Sequence, residues 1–199
     1  MIIRETYMSR IRPFIGNDLV KVLTGIRRSG KSVMLDLIKE ELCASGVDSS
    51  QFISINFENM SNAPLCTATA LHDEIIRRAS EIKGKVYLFF DEIQEVDAWE
   101  KCINSFRVEL DCDIYITGSN AKLLSGELAT YLAGRYVEFV VYPFSFAEFI
   151  ELYHTIYPDT DTRQCFSKYL TAGGMPYLSN LRYDEVASRQ YLRDLFNSV

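Results

Sequence analysis

The residues Gly25-Ile26-Arg27-Arg28-Ser29-Gly30-Lys31-Ser32 constrain the fold of this chain more than any others. They match G-x-x-x-x-G-K-[ST], and their neighbours supply the setting that pattern needs: a β-like apolar run at 19–23 before it and a helical pattern from Lys31 after it. A glycine-bearing loop between a strand and a helix curls its backbone N–H groups around phosphate, and the positive end of the helix dipole favours the anion. Lys31 is then expected to reach the β and γ phosphates, and the Ser32 hydroxyl to ligate Mg²⁺. We take the nucleotide-binding stretch as Gly25, Ile26, Arg27, Arg28, Ser29, Gly30, Lys31, Ser32 and Val33. Arg27 and Arg28 either touch phosphate or keep the loop soluble, and the second is favoured.

Around this loop the chain alternates two periodicities. Short β-rich runs at 19–23, 52–57, 86–90, 114–117 and 136–141 are separated by helical patterns at 31–44, 68–82, 99–110 and around 121–131. Five strands joined by helical crossovers form a mainly parallel sheet with helices on both faces. In the helix that opens at Lys31, Val33, Met34, Leu37, Ile38 and Leu42 share one face while Asp36, Lys39, Glu40 and Glu41 share another. Beyond Pro143 the β-like runs stop. Helices are expected at 146–153, 162–172 and 185–196, broken by Tyr157-Pro158 and by Gly173-Gly174-Met175-Pro176. The expected organisation is a nucleotide-binding core over 1–143 with an N-terminal helix, and a helical lid or connector over 144–199. The last helical pattern runs nearly to Val199 without a cap, so a further domain is expected after it.

The run Val86-Tyr-Leu-Phe-Phe-Asp91-Glu92 is an apolar strand that delivers two acids to its C-terminal edge, where ligands collect in open α/β sheets. Asp91 is the expected Mg²⁺ partner, and Glu92 the residue that polarises the attacking water. A second apolar strand ends in Thr117-Gly118-Ser119-Asn120. Ser119 and Asn120, rather than Thr117, either touch the γ-phosphate or its water, or cap the following helix. Arg135 follows a glycine at a helix-to-strand turn, where it either stabilises transition-state charge, in its own subunit or a neighbour, or is a solvated turn residue.

Composition sets the remaining bounds. A net charge of −6 disfavours unspecific attraction to nucleic-acid backbones or anionic lipid. The five cysteines are odd in number and scattered, without C-x-x-C, which fits reduced structural thiols. His72 and His154 stand far apart on helical patterns and are expected to be structural. No run approaches the ~18 apolar residues of a membrane span, and no leader-like N-terminus is evident, so a cytoplasmic location is expected. Neither a guanine-specifying [NT]-K-x-D nor a separate acceptor signature occurs, which places a GTPase and a small-molecule kinase behind an ATPase.

Taken in order, Gly-Ile-Arg-Arg-Ser-Gly-Lys-Ser, Phe-Phe-Asp-Glu-Ile-Gln, Thr-Gly-Ser-Asn, Leu-Ala-Gly-Arg-Tyr, Tyr-Pro-Phe-Ser-Phe-Ala-Glu-Phe and Gly-Gly-Met-Pro make the chain resemble a prokaryotic AAA-like ATPase family. Its members pair the ATPase with a C-terminal domain of uncharacterised function. The resemblance covers about residues 4–177 and implies a P-loop NTPase fold, three-layer α/β/α, with strand order 5-1-4-3-2. It implies ATP and Mg²⁺ as ligands and hydrolysis to ADP and phosphate that moves the attached domain or a partner. A nucleotide-gated switch with little hydrolysis is the alternative, and a homo-oligomer or protein partner is compatible with either. It also implies the assigned roles for Gly25, Gly30, Lys31, Ser32, Asp91, Glu92 and Ser119 or Asn120, with Arg135 as a finger. The segment 7–14 either borders the adenine or is a helix packed on the core.

Overall fold

The computed structural model describes residues 2–119 and 132–197; Asn120 and the helix expected around 121–131 lie outside them. The chain divides into two compact units, one of Glu5–Gly25 and Lys31–Val140, the other of Met1–Arg4, Ile26–Gly30 and Val141–Val199.

The first unit is built on a sheet of β1 (Val20–Thr24), β2 (Phe52–Asn56), β3 (Val86–Asp91), β4 (Cys112–Thr117) and β5 (Tyr136–Val140). Their order is β2-β3-β4-β1-β5, and every pairing is parallel, as the resemblance implied. β3 has all six residues buried, which is why it reads as an unbroken apolar run and not as an alternation. The helices are α1 (Glu5–Ile11), α2 (Lys31–Ala44), α3 (Ala68–Ala79) and α4 (Trp99–Glu109).

One face of the sheet offers Val20, Val22, Ile53, Ile55, Leu88, Phe90, Ile114 and Ile116, alternate residues along each strand, and α3 and α4 cover it with Leu71, Ile75, Ile103 and Phe106. On the opposite face Phe89 stacks on Tyr115 at 5.0 Å, and Lys39 of α2 lies over the Phe89 ring at 5.2 Å. Helices therefore cover both faces, giving the three-layer α/β/α arrangement. Tyr7, Met8 and Ile11 make α1 a packed helix, and Arg12 just after it bridges Glu5 and Glu41.

Near the strand starts sits a fully buried ion pair. Lys21 Nζ lies 2.6 Å from Asp113 Oδ1, while Asp113 Oδ2 accepts from Tyr115 Oη at 2.7 Å and from the Gly16 amide at 2.8 Å. Burial pushes the Lys21 ammonium below its ordinary range, against the opposing pull of Asp113.

The second unit holds α5 (Phe146–Ile156), α6 (Thr162–Ala172) and α7 (Glu185–Asn197). α5 and α6 each open on a capping box, Ser145 with Glu148 and Asp161 with Gln164. Their core is Phe149, Ala172, Met175, Leu178 and Tyr183, ringed by aromatic contacts. The break at Gly173-Gly174 has a local cause. Gly173 ends α6 with φ 76°, and a Cβ on Gly174 would overlap the carbonyl of Phe144, whose amide donates to Gly174 O at 2.7 Å.

Candidate nucleotide site

Because all five strands are parallel, their C-terminal ends share one edge of the sheet, and there β1 ends in Thr24, β2 in Asn56, β3 in Asp91 and β4 in Thr117. Lys31 opens α2 after β1 and is 4% exposed. Its Nζ donates to Gly25 O at 3.3 Å and lies 3.7 Å from Glu92 Oε1. The lysine of the loop and the acid that directly follows β3 are thus brought together.

Asp91 is buried and held from two sides. Thr117 Oγ1 donates to its Oδ1, and Asn56 Nδ2 donates to its Oδ2 at 3.0 Å. Glu92 next to it adopts a left-handed backbone (φ 54°, ψ 50°), a sparsely populated region for a non-glycine residue. That turn sends the Glu92 amide to Thr117 Oγ1 at 3.0 Å, and Gln94 Nε2 donates to Glu92 Oε2. One hydroxyl therefore ties the backbone of the second acid to the side chain of the first.

Thr117, Asn56 and Gln94 were not among the residues expected from sequence. Thr117 had been set behind Ser119 and Asn120; Ser119 is half-buried and Asn120 lies outside the described residues. The signal that would have found Thr117 and Asn56 is their shared position, the last residue of an apolar strand at the edge that carries Asp91.

The loop segment Ile26–Gly30 belongs to the second unit. Gly30 has φ 101° and Arg28 φ 65°, and the Ser29 amide donates to Ile26 O at 3.2 Å. Ser29 is buried, and its Oγ has no hydrogen-bond partner, which leaves in the loop a hydroxyl that a phosphate oxygen would satisfy. Arg28 lies over Tyr177 and Tyr191 at 5.9 and 5.7 Å, beside a cavity of about 280 Å³ lined by Arg27, Arg28, Tyr191, Asp194 and Leu195. Ile26, Ser32 and Val33 are exposed.

The donor set fits a magnesium nucleotide. Asp91 and Ser32 are the hard oxygen donors that Mg²⁺ takes. Among the described residues no three His, Cys, Asp or Glu side chains are grouped to hold an ion.

Arg135 is not brought to this edge. Its carbonyl accepts from the Val20 amide at 3.0 Å, at the start of β1, and its Nη1 donates to Asn104 Oδ1 at 2.8 Å. The length of β1, about 13 Å at roughly 3.3 Å per residue, lies between it and Thr24. His72 stacks on Phe106 and meets Glu109 at 3.1 Å, and His154 meets Thr160 O at 3.0 Å; neither stands with the strand-end residues. No helix among the described residues is long and apolar enough to cross a membrane.

The model of the AAA domain family matches residues 17–150. An uncharacterised protein of Haemophilus influenzae is 40% identical over 202 residues, covering 100% of this chain and 49% of that protein. Another from Methanocaldococcus jannaschii is 32% identical over 189 residues, covering 90% of this chain and 40% of that one. The chain thus spans half or less of the length of these relatives. Among solved structures, the Walker-type ATPase of Pyrococcus abyssi superposes with a TM-score of 0.65 at 17% identity, over 96% of this chain and 71% of that one, a likeness of fold.

Proposed function

The chain belongs to the AAA domain family, a family of P-loop ATPases, and on that premise we propose that it binds ATP with Mg²⁺ and hydrolyses it to ADP and phosphate. The observation that carries this reading is the meeting of Lys31 with Glu92 at 3.7 Å beside an Asp91 held by Thr117 and Asn56. The backbone of Gly25–Val33 is the phosphate seat, with Lys31 on the β and γ phosphates and Ser32 and Asp91 as the Mg²⁺ partners. Bound Mg²⁺ neutralises charge on the phosphate oxygens.

In the reaction Glu92 orients a water whose oxygen bonds to the γ phosphorus as the bond to the bridging oxygen breaks. The water's proton passes to Glu92 or to the departing phosphate. In the structure Lys31 is shared with Glu92, so incoming phosphate competes for the ammonium and frees the carboxylate for water. Thr117 keeps the two acids in one geometry throughout. Ser119 and Asn120, which follow β4 in the sequence, are assigned to the γ-phosphate side. Arg135 acts, on this reading, only on the nucleotide of a neighbouring copy, because its own strand start lies at the other sheet edge. Hydrolysis drives a conformational change in an attached domain or partner.

A second reading is favoured by one detail: both oxygens of Glu92 are engaged, Oε2 by Gln94 and Oε1 facing Lys31. If those contacts persist with nucleotide bound, ATP orders an interaction surface and is barely turned over. Single-turnover phosphate release separates the two. The hydrolase reading expects ATP to be consumed by the wild type and retained intact by Glu92→Gln. Retention by both would establish the switch.

A further inference from the structure

Arg4 is an arginine with 1% exposure, and its guanidinium ties together three stretches of the second unit. Nε donates to Glu148 Oε1 at 2.7 Å, and Nη2 donates to Glu148 Oε2 at 3.3 Å and to Tyr142 O at 2.9 Å. Nη1 donates to Ser29 O, inside the phosphate loop, at 3.1 Å. The guanidinium also lies 5.1 Å from the centre of the Phe144 ring. Glu148 is fixed in turn by the Ser145 amide and hydroxyl, at 2.8 and 2.9 Å. The Tyr-Pro-Phe-Ser-Phe-Ala-Glu run after β5 is thus the socket for this arginine.

The peptide that joins Ser29 to Gly30 is planar and trans, so its C=O and its N–H point in opposite directions. Whatever holds the Ser29 oxygen therefore sets where the Gly30 N–H points. We propose that Arg4 is a positioning residue for the phosphate loop: by anchoring the Ser29 carbonyl it aims the Gly30 amide at bound phosphate. Its charge is already matched by Glu148, so its contribution to the loop is directional and not a gain in positive potential. Lysine would keep the charge but lacks the fork that reaches Glu148, Tyr142 and Ser29 together. The inference rests on the reading of Gly25–Val33 as the phosphate seat.

The test is ATP binding by the wild-type chain and by Arg4→Lys, measured well below each protein's melting temperature, with the Gly30 amide followed by NMR. Arg4→Lys is expected to weaken ATP binding by about tenfold, the worth of one hydrogen bond to a charged phosphate. The shift of the Gly30 amide on adding ATP is expected to shrink with it. A purely structural arginine would lower the melting temperature and leave both readouts unmoved, and that result would overturn the proposal. Should Arg4→Lys not fold, the wild type alone decides: the Arg4 Nη1 protons that face Ser29 O should stay protected from exchange with and without ATP, and loss of their protection on binding would refute the anchor. No ATP binding by the wild type would bring down the phosphate-seat reading as well; binding that Arg4→Lys leaves unchanged would bring down this inference alone.

Discussion

Replacing Thr117 by valine keeps the side chain's shape and removes one hydroxyl that is fully buried at the end of β4. That hydroxyl donates to Asp91 Oδ1 and accepts from the Glu92 amide at 3.0 Å. A hydrogen bond to a charged group is worth about 1.5–3 kcal/mol, and an N–H left unsatisfied costs about 1–3 kcal/mol. The methyl that valine adds in place of the hydroxyl returns about 1 kcal/mol of apolar burial. The net loss is about 3 kcal/mol, which in a chain of this size lowers the melting temperature by about 6–12 °C. Thr117→Ser keeps the hydroxyl and gives up one methyl, about 1 kcal/mol. Denaturant melts of the three proteins check the stability order. Phosphate release at saturating ATP should fall about tenfold in Thr117→Val, the effect of about 1.4 kcal/mol lost from the positioning of Asp91 and Glu92. Equal stability and equal turnover of the valine and serine variants would refute the idea that this hydroxyl ties the two acids together.

Three further outcomes follow from particular contacts. Gly174→Ala places a Cβ against the Phe144 carbonyl and strains the amide that donates to Gly174 O, so it should cost about 3 kcal/mol in a denaturant melt, whereas Gly16→Ala, which meets nothing within 4 Å, should cost only the roughly 1–2 kcal/mol of its left-handed φ of 80°. Lys21→Met leaves Asp113 buried without its cation and should cost about 3–5 kcal/mol; adding Asp113→Asn in the same chain should recover part of that loss. The His72 imidazole is raised above its ordinary value by its hydrogen bond to Glu109, aided by Asp73, so its contribution is complete below about pH 6.5 and is lost as pH rises through the raised value. Melting temperature should therefore drop across that window in the wild type and lose that drop in His72→Gln.

How much of this was legible in the sequence depends on the distance over which each feature is set. The strands at 86–90 and 114–117 could be read because burial on both faces demands apolar runs there, while the buried Asp113 broke the pattern and hid the first two residues of β4. The loop at Gly25–Ser32 could be read because its chemistry is local. The order of the strands was not in the periodicity; it came from the resemblance, and the parallel pairings agree with it. Thr117 and Asn56 were missed because their meeting with Asp91 depends on the register of three strands separated by helical crossovers. Arg4 carried no local signal at all: its partners lie 25, 138 and 144 residues away. The edge on which Arg135 lies was derivable, since the residue before a parallel strand stands at the edge opposite the strand ends. Gly173-Gly174 was read as a helix break, while the Phe144 carbonyl that excludes a side chain there comes from another part of the chain.

The most direct test of the central claim is equilibrium binding of ATP with Mg²⁺ by the purified chain, wild type against Lys31→Ala. Lys31 sits 3.7 Å from Glu92 at the start of α2, and its loss removes the cation proposed to hold the β and γ phosphates. The account predicts saturable binding by the wild type and at least about a tenfold weaker affinity in the variant, the effect of about 1.4 kcal/mol. No binding by the folded wild type, or equal binding by both proteins, would contradict it.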